Sequence, residues 1–100
     1  MTCRFSPAAR ADLRSIWLYT DDIWGRDQAD RYILSIETAC ESLVAGQTQG
    51  RPADRFRQGY RMASVGSHYV FYKPSQDGVL DVIRILHQRM DIRSRLSKMR

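Results

Sequence analysis

The apolar residues of this 100-residue chain change period once, near residue 46, and that change dictates the fold class. Before it they recur at helical spacing; after Tyr60 they alternate or run together as in strands. Ser6-Pro7 supplies an N-cap and a first-turn proline. Leu13, Ile16, Trp17, Thr20 and Trp24 then form one helical stripe, with Tyr19 and Ile23 at its edge. Gly25 closes this helix. Asp27 and Asp30 open a second one, whose stripe is Ala29, Tyr32, Ile33, Ile36, Cys40, Leu43 and Val44, up to Gly46. So short a connection permits only an antiparallel helical hairpin. Residues 46–59 read as a loop. Strands are predicted at Thr2–Phe5, Tyr60–Val65, His68–Lys73 and Val79–His87, with turns at Gly66-Ser67 and Pro74–Gly78. Met90–Leu96 is predicted as a short C-terminal helix or tail. The class is α+β in the order β-α-α-β-β-β. A two-helix layer covers one face of an antiparallel sheet and leaves the other face without a helix of its own, open to a partner.

The length suits a single domain over residues 1–100. No run is long and apolar enough for a membrane span, and no signal peptide is present, so a cytoplasmic protein is expected. Cys3 and Cys40 lie far apart, without metal spacing, and read as reduced thiols. Charge is uneven. Residues 1–50 carry five Arg against seven acids; residues 51–100 carry eleven Lys and Arg against four acids, a net of +7. Fourteen of the sixteen basic residues are Arg, which grips carboxylates and phosphates with paired hydrogen bonds, so an acidic partner is implied.

The chemistry concentrates in Arg84–Asp91. His87 with Arg61 and Arg84 has the makings of an acid/base and phosphate-stabilising set for RNA cleavage. Only Asp91 offers a second acid/base there, which favours a hydrogen-bonded clamp over a catalytic cluster. Alternation places Val82, Arg84 and Leu86 on one strand face, and Ile83, Ile85 and His87 on the other. The second set suits the helix-covered core and the first lines the open face. With the faces reversed, Arg84 pairs with Asp81 or Asp91 at the surface. Trp17, Tyr19 and Trp24 read as core or core edge. Arg51, Arg55, Arg57 and Arg61 read equally as anion grips or as solvated charges. No His/Asp/Glu set has metal-ligand spacing, no glycine string makes a phosphate loop, and no cofactor is implied.

Several strings together resemble a known family. They are Gly59-Tyr60-Arg61, the run from Val65 to Tyr72, and Arg84-Ile85-Leu86-His87-Gln88-Arg89-Met90-Asp91. Ser6-Pro7-Ala8-Ala9, Asp12-Leu13, Ile16-Trp17, Tyr19, Trp24-Gly25, Gln28-Ala29 and Gly50-Arg51-Pro52 join them. Over residues 3–96 the chain resembles the ParE toxins of bacterial type II toxin–antitoxin systems, in the RelE/ParE superfamily. The resemblance implies a helical hairpin on a sheet. It also implies a non-enzymatic toxin that traps DNA gyrase on cleaved DNA, with growth arrest and plasmid stabilisation as outcomes. The implied partner is a ParD-like antitoxin with a ribbon-helix-helix domain and an acidic C-terminal segment, operator DNA being reached only through it. Arg61, Arg84, His87, Arg89, Met90 and Asp91 are then expected at the target, and Leu13, Trp17, Val82, Arg84 and Leu86 at the antitoxin. RelE-type relatives instead cut mRNA in the ribosome; for that chemistry the set is His87, Arg61 and Arg84. The chain departs from the RelE pattern in having only Lys73 and Lys98 where that pattern is Lys-rich.

Overall fold

The computed structural model describes residues 3–75 and 77–97. Its elements are β1 (Cys3–Phe5), α1 (Pro7–Trp24), α2 (Arg26–Val44), β2 (Arg51–Pro52), β3 (Arg61–Val65), β4 (His68–Pro74), β5 (Leu80–His87) and α3 (Ile92–Ser97). The start of the first predicted strand, Thr2, and part of the 74–78 turn, Gln76, lie outside the described residues. One five-stranded sheet runs in the order β1-β5-β4-β3-β2. β3, β4 and β5 form the expected antiparallel meander. β1 pairs with β5 in parallel, so the sheet is mixed, and β2 adds a two-residue edge inside the segment expected to be loop.

The hairpin follows from its caps. Ser6 is extended, and its Oγ accepts from the Ala9 amide at 3.0 Å. Gly25 has φ +92, outside the range open to most residues, and its N–H reaches the Asp21 carbonyl at 2.9 Å. One residue therefore separates the helices, and Trp17 Nε1 donates to Asp30 across them at 2.8 Å. Ala9 and Ile16 of α1 and Ile36 and Cys40 of α2 pack on Val70, Tyr72, Leu80, Val82 and Ile85 of the sheet. Burying a side chain such as Ile36 contributes about 1.5–3 kcal/mol.

The second sheet face differs from its expected open state. Ile92 and Leu96 of α3, with Ala53, Phe56 and Tyr60 of the 53–60 segment, cover Met62, Phe71 and Leu86. Arg57 Nη1 donates to the Leu96 carbonyl at 2.8 Å and ties the two covers together. Arg55 and Arg93 stack on Phe56, and Arg57 and Lys73 on Tyr60. The face expected to meet a partner is thus a small core roofed by aromatic rings and cations.

Strict alternation in β5 also fails. A bulge opposite Phe71/Tyr72 pairs Phe71 with Arg84 but Tyr72 with Val82, leaving Ile83 as the extra residue. Val82 and Ile85 consequently face the helices together, while Ile83 and Leu86 face α3. Val82 and Leu86, both expected at an antitoxin surface, are fully buried core residues on opposite faces.

Candidate functional site

An open groove of about 580 Å³ lies where the ends of α1 and the start of α2 overhang the β4–β5 end of the sheet. Ile16, Tyr19, Thr20 and Trp24 form the α1 wall, and Gln28 and Tyr32 the α2 wall. Ser67, His68, His87, Arg89 and Met90 form the floor and far rim. Tyr19 is 68% exposed, Trp24 72% and Met90 42%. Trp24 does not join the α1 core stripe; it stands exposed on the groove wall. Ile23 and Leu18 are exposed nearby.

The floor is ordered by Tyr32. Its hydroxyl lies 3.1 Å from the Ser67 amide, 2.6 Å from His68 Nδ1 and 3.2 Å from the Val65 carbonyl. One arrangement satisfies all three contacts: Ser67 N–H and His68 Nδ1–H donate to the phenol oxygen, and the phenol donates to Val65. Gly66, at φ +56, permits this approach, because a Cβ there would sit 2.7 Å from the Tyr32 hydroxyl oxygen. His68 stands opposite His87 in the β4–β5 register, with ring centroids 5.1 Å apart and edge to face. His87 Nδ1 accepts the Arg89 amide at 3.0 Å.

Burial, with the charge of His87 adding to it, holds His68 down at about 4, so it is neutral at neutral pH. An unfolded imidazole takes up its proton near 6.5. Above about pH 6.5 neither state is protonated, and His68 adds no pH dependence. Between about 6.5 and 4 only the unfolded chain gains the proton, so stability falls with pH, on the order of 1–2 kcal/mol once the part-exposed ring is discounted for solvent screening. His68→Gln is expected to flatten this part of a urea-midpoint-against-pH curve, whatever it does to the absolute midpoint. An unchanged slope would show that His68 titrates as in solvent.

The other residues singled out in the sequence scatter. Arg84 is held by Asp12 of α1, Nε to Oδ2 at 2.7 Å and Nη2 to Oδ1 at 2.9 Å, and that bond raises its proton affinity. It pairs with neither Asp81, which binds Arg4, nor Asp91, which accepts from the Ser94 amide at the start of α3. Arg61 donates to the Gly50 carbonyl at 2.6 Å. By register it stands four residues from the His68–His87 row, roughly 13 Å along the strands. His87, Arg61 and Arg84 therefore do not converge on one reacting atom, and among the described residues no carboxylate lines the groove. Leu13 packs half-buried against the helix-side core, and Trp17 is half-buried at the hairpin seam. Of the residues expected at a target or antitoxin, His87, Arg89 and Met90 line the groove. Tyr19, Trp24, Tyr32 and His68 were missed as its partners. The pairing of His68 with His87 was within reach of the two hairpin turns, but the bulge obscured it. Among the described residues, no three His, Cys, Asp or Glu side chains are placed to hold a metal ion, and no helix is long and apolar enough to cross a membrane.

A helical hairpin on a mixed sheet is the architecture of toxins solved in type II toxin–antitoxin complexes. The chromosomal ParDE system of P. aeruginosa superposes with a TM-score of 0.73 at 22% identity, over 87% of this chain and 95% of that one. The RelBE2 toxin–antitoxin complex of Mycobacterium tuberculosis gives 0.54 at 20%, over 87% and 96%. These two show the fold. Sequence gives the family: the profile described as "ParE toxin of type II toxin-antitoxin system, parDE" matches residues 3–92. Toxin ParE1 of M. tuberculosis is 47% identical over 87 residues, 87% of this chain and 89% of its own length. Toxin ParE1 of Caulobacter vibrioides is 39% identical over 94 residues, 93% and 95% respectively. The chain belongs to the ParE toxins of type II toxin–antitoxin systems.

Proposed function

We propose that this toxin inhibits DNA gyrase, trapping it on cleaved DNA in the cytoplasm, and that a ParD-like antitoxin silences it by seating an apolar, acidic segment in the groove. The observation that carries the antitoxin part is the groove wall. Tyr19, Trp24 and Met90 keep large apolar surfaces in water beside His87 and the Arg89 cation. A lone domain gains nothing from such a patch, whereas aromatic anchors beside an Arg are the usual centre of a protein interface. Family membership supports gyrase as target. The scattering of His87, Arg61 and Arg84 weighs against mRNA cleavage by that set. Operator DNA is then met only through the antitoxin.

The decisive measurement is gyrase supercoiling with purified toxin. Loss of supercoiling with accumulation of linear DNA after detergent and protease is expected at modest molar excess, and a pre-formed toxin–antitoxin complex should have no effect. Full supercoiling at large excess of correctly folded toxin, together with cleaved transcripts in translating extract, would replace gyrase by the ribosome.

A further inference from the structure

The sheet face roofed by α3 and the 53–60 segment carries positive charge that the groove does not use. Its rings form one connected patch. Phe56 meets Phe71 edge to face with centroids 6.0 Å apart, Phe71 meets Tyr69 at 6.2 Å, and Tyr60 is buried in the same cluster. Cations stand on three of these rings at 4.7–5.9 Å: Arg55 and Arg93 on Phe56, Arg57 and Lys73 on Tyr60, and Arg51 on Tyr69. Arg51, Arg55, Lys73 and Arg93 are exposed, and among the described residues none of these four makes an ion pair. The carboxylates next to them in sequence or register are already engaged. Asp54 accepts the Gly59 amide, Asp91 accepts the Ser94 amide, and Asp81, across from Lys73, binds Arg4 at 2.6 Å.

We propose that this face binds the phosphate backbone of duplex DNA without reading its sequence. Exposed cations gathered on one face and left without carboxylates attract a polyanion, and each phosphate they neutralise releases a condensed counterion. Arg meets a phosphate with paired N–H groups, and a side chain already resting on a ring has less rotamer freedom to lose on contact. The rings decide which polyanion fits. Tyr60 is only 7% exposed, and Phe56 and Tyr69 are half-buried beneath cations. No ring face is therefore open to stack an unpaired base, as a single strand requires. Nor does the face offer an apolar anchor of the kind that centres a protein interface; Tyr19, Trp24 and Met90 stand on the groove instead. What remains is charge for a regular phosphate array. Such contacts carry no sequence information, so the choice of operator stays with the antitoxin. The setting of the contact rests on the gyrase reading above: the toxin would grip the DNA segment that the enzyme holds.

The test uses the full chain, without gyrase or antitoxin, and a fluorescein-labelled duplex of about 20 base pairs and arbitrary sequence. Anisotropy is followed between about 50 and 200 mM salt. Binding should weaken roughly 100-fold over that range, a slope of log K on log salt of about −3 to −4, as for about four phosphate contacts. Arg55→Gln with Arg93→Gln should bring the slope to about −2, and Arg55→Lys with Arg93→Lys should keep it near the parent value. Arg10→Gln with Arg14→Gln, on the exposed side of α1, removes the same charge and should leave the slope unchanged. If the Gln pair on Phe56 does not fold by circular dichroism, Arg51→Gln with Lys73→Gln gives the same reading from the other two rings. No saturable binding at the lower salt, equal losses from the Arg10 and Arg14 pair, or tighter binding of a single strand than of the duplex would each overturn the proposal. So would poly-glutamate of equal charge binding as well as the duplex, which would give the face to an acidic protein segment. Because no gyrase is present, failure here would leave gyrase inhibition standing, and failure of gyrase inhibition would leave the duplex isotherm as it is.

Discussion

Asp12→Ala is expected to lower the unfolding free energy by about 3–5 kcal/mol, the cost of taking from a mostly buried guanidinium the carboxylate it is paired with. The side chains of Arg84 and Asp12 are only 16% and 14% exposed, and their contact is bidentate. Asp12 also does the work of a missing strand. β1 stops at Phe5, yet β5 runs on to His87 with its outer edge unpaired. Ser6 Oγ donates to the Ile83 carbonyl at 2.7 Å, and Asp12 Oδ2 accepts the Ile85 amide at 2.9 Å. The N-cap side chain Ser6 and one side chain of α1, Asp12, thus continue the ladder where β1 has run out. Alanine removes the counter-ion and the edge acceptor together. Asn keeps an acceptor without charge, so Asp12→Asn should lose about half as much. Arg84→Met should be milder than Asp12→Ala, because Asp12 then keeps the Ile85 amide. Urea unfolding at neutral pH is the check, and the alanine variant should melt roughly 12 °C lower or more. A loss below about 1 kcal/mol would mean that water already solvates the pair as at an ordinary surface bridge.

The same cluster marks where sequence reasoning reached its limit. The helices, their one-residue join and the meander were legible because each rests on local chemistry. Ser6 and Gly25 mark the ends of α1, Ile36 and Cys40 keep helical phase with the core, and Gly66-Ser67 closes a hairpin. The pairing of Arg84 with Asp12 joins residues 72 positions apart and has no periodic trace. Ile83 looks like any strand residue until the register shows it to be an insertion, and that single insertion moved Val82 and Leu86 from one imagined face to two real cores. The supposedly open face was misjudged for a related reason. Six residues of α3 and the 53–60 segment are too short to announce themselves as a layer, yet Ile92, Leu96, Phe56 and Tyr60 suffice to cover it. The groove was hidden by the opposite error. Trp24 keeps the apolar spacing of a core residue, but it stands exposed on the groove wall.

That exposure sets the other large expected effect. Trp24→Ala should weaken antitoxin binding by about 2–4 kcal/mol, some 30- to 1,000-fold in Kd, the range of an aromatic anchor at an interface centre. Its exposure means the fold depends little on the side chain, so the thermal midpoint should stay within a degree or two, as for surface substitutions generally. Tyr19→Ala and Met90→Ala, on facing rims of the same groove, should lose less singly and more than additively with Trp24→Ala, since all three would enclose one apolar side chain. Arg89→Ala should instead slow association and reduce its salt dependence, because an exposed cation at the rim steers an acidic segment rather than holding it. Calorimetry and stopped-flow association with the cognate antitoxin separate the two effects. Antitoxin affinity unchanged in Trp24→Ala, with gyrase inhibition lost, would give the groove to the target; both unchanged would move the interface off the groove altogether. Reduced affinity with gyrase inhibition retained would show that antitoxin and target meet different faces, so that neutralisation acts by blocking approach or by holding the fold rather than by filling the inhibitory site.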